Sequence, residues 1–166
     1  MIFVTLGTQD KTFPRLLEAV DKLNTKEQIV IQAGSTKYDF DPAKKNIQFH
    51  DFLNDSEFDD YMKQSDIIIC HAGVGTIIKG LKLHKKLIVA ARLKKYGEHV
   101  NDHQLQILEA FSKDGYIIPL NDFDNLQKLL TIDFTPRGFV PHKKEFNAML
   151  DSEINKLTKT RIRSKK

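Results

Sequence analysis

The sequence predicts an α/β fold: a single doubly wound parallel sheet of about six strands, Rossmann-like, covered by helices on both faces. Three observations predict it. Short runs recur that are apolar at every position rather than at alternate ones, as in strands buried on both faces. Between most of them lie segments with apolar residues at i, i+3 and i+4 spacing, the helical pattern. Glycine turns follow several of the runs, and right-handed crossovers then lay the strands parallel.

The elements follow in order. Ile2 to Leu6 reads as the first strand and ends at Gly7-Thr8-Gln9. A helix from about Phe13 to Asn24 places Phe13, Leu16, Leu17, Val20 and Leu23 on one face. Ile29 to Ala33 is a second strand closed by Gly34-Ser35, and Ile47 to Phe52 a third. Ser56 is the expected cap of a helix reaching Gln64. Asp66 to Cys70 is a fourth strand, followed by the turn His71-Ala72-Gly73-Val74-Gly75-Thr76 and a helix to Leu83. Leu87 to Ala91 is a fifth strand. Asp102 to Lys113 is helical, with Leu105, Leu108 and Phe111 expected inside and Gly115 ending it. Tyr116 to Leu120 is a sixth strand, and Asn121 or Asp122 caps a helix to about Leu130. The expected strand order is 3-2-1-4-5-6, which makes strands 1 and 4 neighbours across the topological switch.

Residues 1–142 are thus expected to form the ligand-binding domain, residues 143–158 a C-terminal helix and residues 159–166 a basic tail. On the C-terminal helix Phe146, Met149, Leu150, Ile154 and Leu157 form an apolar stripe, suited to packing on its own domain or to docking a partner. The net charge of +4 is concentrated, because residues 156–166 hold six basic residues and no acid, leaving about 4 − 6 = −2 elsewhere. A basic nucleic-acid-binding face is therefore not expected. The tail suits either solvent or an anionic membrane surface. The apolar runs are too short to span a bilayer, which needs ~20 residues. The N-terminus lacks a secretory pattern, and the single Cys70 excludes an internal disulfide, so a reducing cytoplasm is expected.

The chemistry gathers between Asp66 and Gln104. Strand, glycine turn and helix make an anion site: the helix N-terminus offers free N–H groups and partial positive charge, and Gly73 and Gly75 allow close approach. A diphosphate would sit on the N–H groups of Val74, Gly75 and Thr76, with the Thr76 hydroxyl and the His71 imidazole as further donors. Gly7-Thr8-Gln9 can face this turn across the switch. Arg92, His99, Asp102, His103 and Gln104 crowd the loop after the fifth strand, and the last three can contact sugar hydroxyls. Cys70 is expected in the core, since adjacent strand residues face opposite ways. Asp39-Phe40-Asp41 and Asp122-Phe123-Asp124 carry a D-x-D pattern; the first lies in a loop and the second fits a helix start, so no metal or cofactor is expected.

The stretches GTQ near residue 8, HAGVGT at 71–76 and RLKKYGEHVNDHQ at 92–104 resemble the soluble donor-binding subunit of two-part glycosyltransferases. This group includes bacterial capsular and exopolysaccharide β-1,4-galactosyltransferase subunits and the soluble subunit of the eukaryotic N-glycan GlcNAc transferase. It is also similar to the C-terminal half of the lipid II-forming GlcNAc transferase. The resemblance implies half of a GT-B fold that binds UDP-galactose or a related UDP-hexose. A membrane-anchored subunit would bind the lipid-linked acceptor, holding this chain at the inner face of the membrane. It implies that His71, Gly73, Gly75 and Thr76 hold the diphosphate, with His71 and Thr76 catalytic, and that Asp102, His103 and Gln104 face the sugar. Lys79 stands where relatives often carry an acid for the ribose hydroxyls, and lysine cannot accept those hydrogen bonds. A non-catalytic accessory subunit and a free-standing UDP-sugar epimerase or hydrolase are the alternatives.

Overall fold

The computed structural model describes residues 1–139. The C-terminal helix and basic tail expected over 143–166 lie outside the described residues. Six parallel strands form one sheet: β1 (Ile2–Thr5), β2 (Ile29–Gln32), β3 (Ile47–His50), β4 (Ile67–His71), β5 (Lys86–Ala90) and β6 (Ile118–Pro119). Their order is β3-β2-β1-β4-β5-β6, as the sequence predicts. Among the described residues five α-helices accompany them: α1 (Pro14–Asp21), α2 (Asp55–Gln64), α3 (Val74–Lys82), α4 (His103–Lys113) and α5 (Leu126–Thr131).

Alternation along β1 divides the core between two layers. Ile2, Val4 and Leu6 point into one cluster with Leu16, Leu17 and Val20 of α1 and Leu126 of α5. Phe3 points into the other, with Met62 of α2, Ile77 and Leu81 of α3, and Ile107, Leu108 and Phe111 of α4. The strands read as uniformly apolar because both layers need them buried. Cys70 belongs to the second cluster, and burial pushes its thiol up to about 12, so it is an inert core residue at neutral pH.

Three expectations about elements are corrected. The cap of α2 is Asn54, not Ser56: Asn54 accepts from Glu57 N–H at 2.9 Å and Glu57 accepts from Asn54 N–H at 3.0 Å, a reciprocal capping box. Leu105 is exposed, and the inner face of α4 is Gln104, Ile107, Leu108 and Phe111. The buried side chain of Gln104 accepts from Arg92 N–H at 3.0 Å, which fixes the rotation of the helix. Finally, β6 keeps two residues of the five expected, because Pro119 has no N–H to donate and is tolerated only at a sheet edge.

Candidate functional site

The sequence makes β4 end abruptly. After His71 the chain turns back on itself, with Gly73 N–H donating to the His71 carbonyl at 2.7 Å, and α3 starts at once. The N-cap position is Gly73, and no side chain caps this helix. Its first amide bonded within the protein is that of Ile77, to Gly73 O at 3.1 Å. The amides of Val74, Gly75 and Thr76 precede it and point beyond the helix end, where the dipole is positive. Gly75 sharpens the picture. A Cβ there would meet no heavy atom within 4 Å, so nothing in the protein requires a glycine. Glycine near a helix start costs up to about 1 kcal/mol against alanine. Open space over three free amides is what a closely approaching anion needs.

Gly73 and Gly7 have a different reason. A Cβ on Gly73 would lie 2.3 Å from His71 Nε2, and one on Gly7, where φ is +80°, would lie 2.6 Å from His71 Cε1. The imidazole thus fills the space between the β1 and β4 turns and holds them together. The two turns are neighbours across the switch, as the strand order requires. Gly34 in turn lies against the Gly7 carbonyl, whose oxygen is 2.5 Å from where a Gly34 Cβ would be. Thr8 and Gln9, next along the β1 turn, stand exposed. His71 is 8% exposed, and its Nδ1 makes no hydrogen bond of good geometry. Burial lowers its pKa to about 4, with the charge of Arg92 adding to the effect, the Thr5 carbonyl opposing it and His99 adding a little more. His71 is therefore neutral near pH 7.

The loop between β5 and α4 is held from inside. Arg92, 1% exposed, donates through its guanidinium to the carbonyls of Leu6 (2.5 Å), Lys11 (2.7 Å), Glu98 (3.3 Å) and Thr12 (3.4 Å). It therefore fastens the β1 turn to the end of β5. Glu98 is the second fastening. Its buried carboxylate accepts from Arg15 Nε and Nη2, both at 2.6 Å, and from Leu93 N–H at 2.9 Å. Arg15 lies over the rings of Tyr96, Phe123 and Phe13, at 4.3, 4.5 and 5.4 Å. Neither Arg15 nor Glu98 was foreseen from the sequence. The pair is separated by 83 residues and follows no local spacing.

The polar residues of this loop are partly engaged with it. Asp102 Oδ1 accepts from Lys94 N–H at 2.8 Å, and Asn101 Oδ1 accepts from His103 N–H at 3.1 Å. His99 Nδ1 lies within reach of both backbone groups of Asn101, 3.1 Å from the oxygen and 3.3 Å from the nitrogen. Gln104 is buried beneath the loop on Arg92. His99, Asp102 and His103 stay partly or largely exposed at the strands' carboxyl ends. Lys79 does not join them: its ammonium pairs with Asp59 of α2 and lies over the Phe58 ring. Both D-x-D sites have local work. Asp41 accepts from Ala43 N–H at 2.9 Å, and Asp122 accepts from Asp124 N–H at 3.1 Å and from Asn125 Nδ2 at 2.8 Å.

A parallel sheet with an uncapped helix start at its topological switch is a Rossmann-like domain, and the free amides of that helix start have the geometry that suits an anion. The pattern of the glycosyltransferase family 28 C-terminal domain matches residues 1–156, and the chain belongs to that family. It is 38% identical over 73 residues to the UDP-N-acetylglucosamine transferase subunit ALG13 of Candida albicans, covering 44% of this chain and 24% of that protein. It is 39% identical over 59 residues to ALG13 of Candida glabrata, covering 36% and 28%. The chain thus matches about a quarter of the length of these relatives. In fold it resembles an ALG13 solution structure (TM-score 0.54, 19% identity, 90% of this chain and 94% of that one). It also resembles Acinetobacter baumannii MurG (TM-score 0.56, 21% identity, 77% and 40%). The glycosyltransferase of kitacinnamycin is similar too (TM-score 0.60, 18% identity, 78% and 33%). The sheet is therefore that of one half of a GT-B glycosyltransferase.

Proposed function

We propose that this chain is the UDP-sugar-binding catalytic subunit of a two-subunit inverting hexosyltransferase that acts on a lipid-diphosphate-linked sugar. A membrane-anchored subunit supplies the acceptor side and holds the chain at the cytoplasmic face of the membrane. Among the described residues no helix is long and apolar enough to cross a membrane. The observation that carries the reading is the uncapped start of α3 with open space over Gly75. In this reading the donor diphosphate lies on the amides of Val74, Gly75 and Thr76. The acceptor hydroxyl attacks the anomeric carbon from the opposite face as the bond to the diphosphate breaks. The oxygen that leaves gains negative charge, and the preorganised amides and the Thr76 hydroxyl stabilise it. His71, buried and neutral, spaces the two glycine turns beneath the diphosphate. Asp102 and His103 border the sugar. The base that takes the acceptor proton comes from the partner subunit.

Galactose is the hexose proposed, on the RLKKYGEHVNDHQ run of residues 92–104. The name of the fungal relatives favours N-acetylglucosamine instead. Transfer assays on membranes containing both subunits, with UDP-galactose and UDP-N-acetylglucosamine in competition, choose between them. The site itself is tested by calorimetry with UDP. Gly75→Ala should weaken UDP about tenfold, a loss of ~1.4 kcal/mol, with a melting temperature that does not fall and rises by a few degrees at most. Unchanged UDP affinity would place the diphosphate elsewhere. Absence of binding to the wild-type chain, alone and with its partner, would support an accessory subunit.

A further inference from the structure

Near the β1 turn two guanidinium groups, Arg15 and Arg92, face one buried carboxylate, Glu98. Arg15 takes both oxygens of that carboxylate, in a two-pronged pair at 2.6 Å. Arg92 is left with carbonyl oxygens and the face of the Phe13 ring, 5.2 Å from its Cζ, its Nε is buried without a hydrogen-bond partner, and it forms no ion pair among the described residues. The cluster therefore carries one uncompensated positive charge away from water. Burial lowers the Arg92 pKa to about 10, with Glu98 opposing that fall, so the group stays charged at neutral pH. An unpaired buried cation is costly unless something repays the lost hydration. The contacts link it to the two glycine turns: Arg92 holds the Leu6 carbonyl, the next residue Gly7 packs on His71, and His71 packs on Gly73 at the start of α3. The Arg92 charge also adds to the lowering of the His71 pKa.

We infer that Arg92 is a fixed buried cation whose counter-ion is the bound diphosphate, and that it favours this ligand through its field without touching it. The inference rests on the proposed diphosphate site and assigns Arg92 a positioning and electrostatic role. The carbonyls that bind it keep the charge in place, and the His71 layer keeps water and ligand off it. Its effect is weakly screened by salt, unlike that of exposed lysines such as Lys94 and Lys95.

The test compares UDP with uridine, which lacks the diphosphate, by calorimetry on the purified full chain. The wild type should prefer UDP. Arg92→Gln should weaken UDP about tenfold, the order expected for one charge acting without contact at an effective dielectric of ~20. Uridine affinity should change less than about twofold, and Arg92→Lys should retain most of the preference. Parallel weakening of both ligands in Arg92→Gln, or a loss of preference in Arg92→Lys equal to that in Arg92→Gln, overturns the inference and makes Arg92 a loop fastener only. If neither variant folds, the wild type still decides. Its preference for UDP should hold within about threefold between low and high salt, and its collapse would assign the preference to surface charge. A wild type that binds neither ligand removes the site reading itself and this inference with it.

Discussion

Acidification should weaken the fold through His71, by an amount the structure allows to be worked out. The imidazole has a pKa of about 4 when folded, against the ordinary histidine value of 6.5. The unfolded chain therefore binds more protons at this position between those values, and stability must fall as pH falls. The contribution is fully present above pH 6.5 and is lost progressively toward pH 4, at about 1.4 kcal/mol per pH unit. Between pH 7.5 and pH 4.5 the loss is about 2.5 kcal/mol from this residue alone. Carboxylates titrate in the same range, so the measurement is a difference. Urea unfolding of the wild type and of His71→Leu across this range gives two curves of stability against pH. The wild-type curve should be steeper by about 2.5 kcal/mol in total, although the variant starts lower because leucine fills the space between Gly7 and Gly73 differently. Parallel curves, or an imidazole NMR resonance that titrates near pH 6.5, would refute the reasoning. Either result would mean that the ring is not held dry between the two glycine turns.

Three further outcomes follow from the same geometry. Gly73→Ala should destabilise by about 1–3 kcal/mol in urea unfolding, because its Cβ would sit 2.3 Å from His71 Nε2 and the ring has a glycine turn on its other side too. Glu98→Ala should cost about 3 kcal/mol, since it strands Arg15 and frees Leu93 N–H; faster amide exchange over residues 93–101 should accompany it. Lys79→Ala should leave UDP affinity within about twofold and stability within about 1 kcal/mol, because its partner Asp59 is a half-exposed residue of α2. A large loss of UDP affinity in that variant would return Lys79 to the binding site.

Much of the fold was legible in the sequence because strands buried on both faces leave uninterrupted apolar runs, and those runs alternate with helical periodicity. The order of the strands followed from handedness and from the place of the glycine turns. Errors fell where a local rule had a closer competitor. Asn54 and Glu57 already show capping-box spacing, yet Ser56 drew the assignment. Leu105 looked internal because apolar residues define a face, whereas Gln104 is the residue Arg92 pulls inward. The glycines of the site were legible as a group but not in kind.

What the sequence by itself determined is the α/β class, the six-strand order and the helix start at residues 73–76, since periodicity and turn chemistry are properties of neighbouring residues. Only the tertiary structure decided that Gly7 and Gly73 make room for His71 while Gly75 leaves room for something outside the protein. Only it turned Lys79 toward α2 and joined Arg15 to Glu98 across the β5–α4 loop. Burial and pairing depend on residues brought together from distant parts of the chain, and no pattern along the sequence records which buried charge is left without a partner.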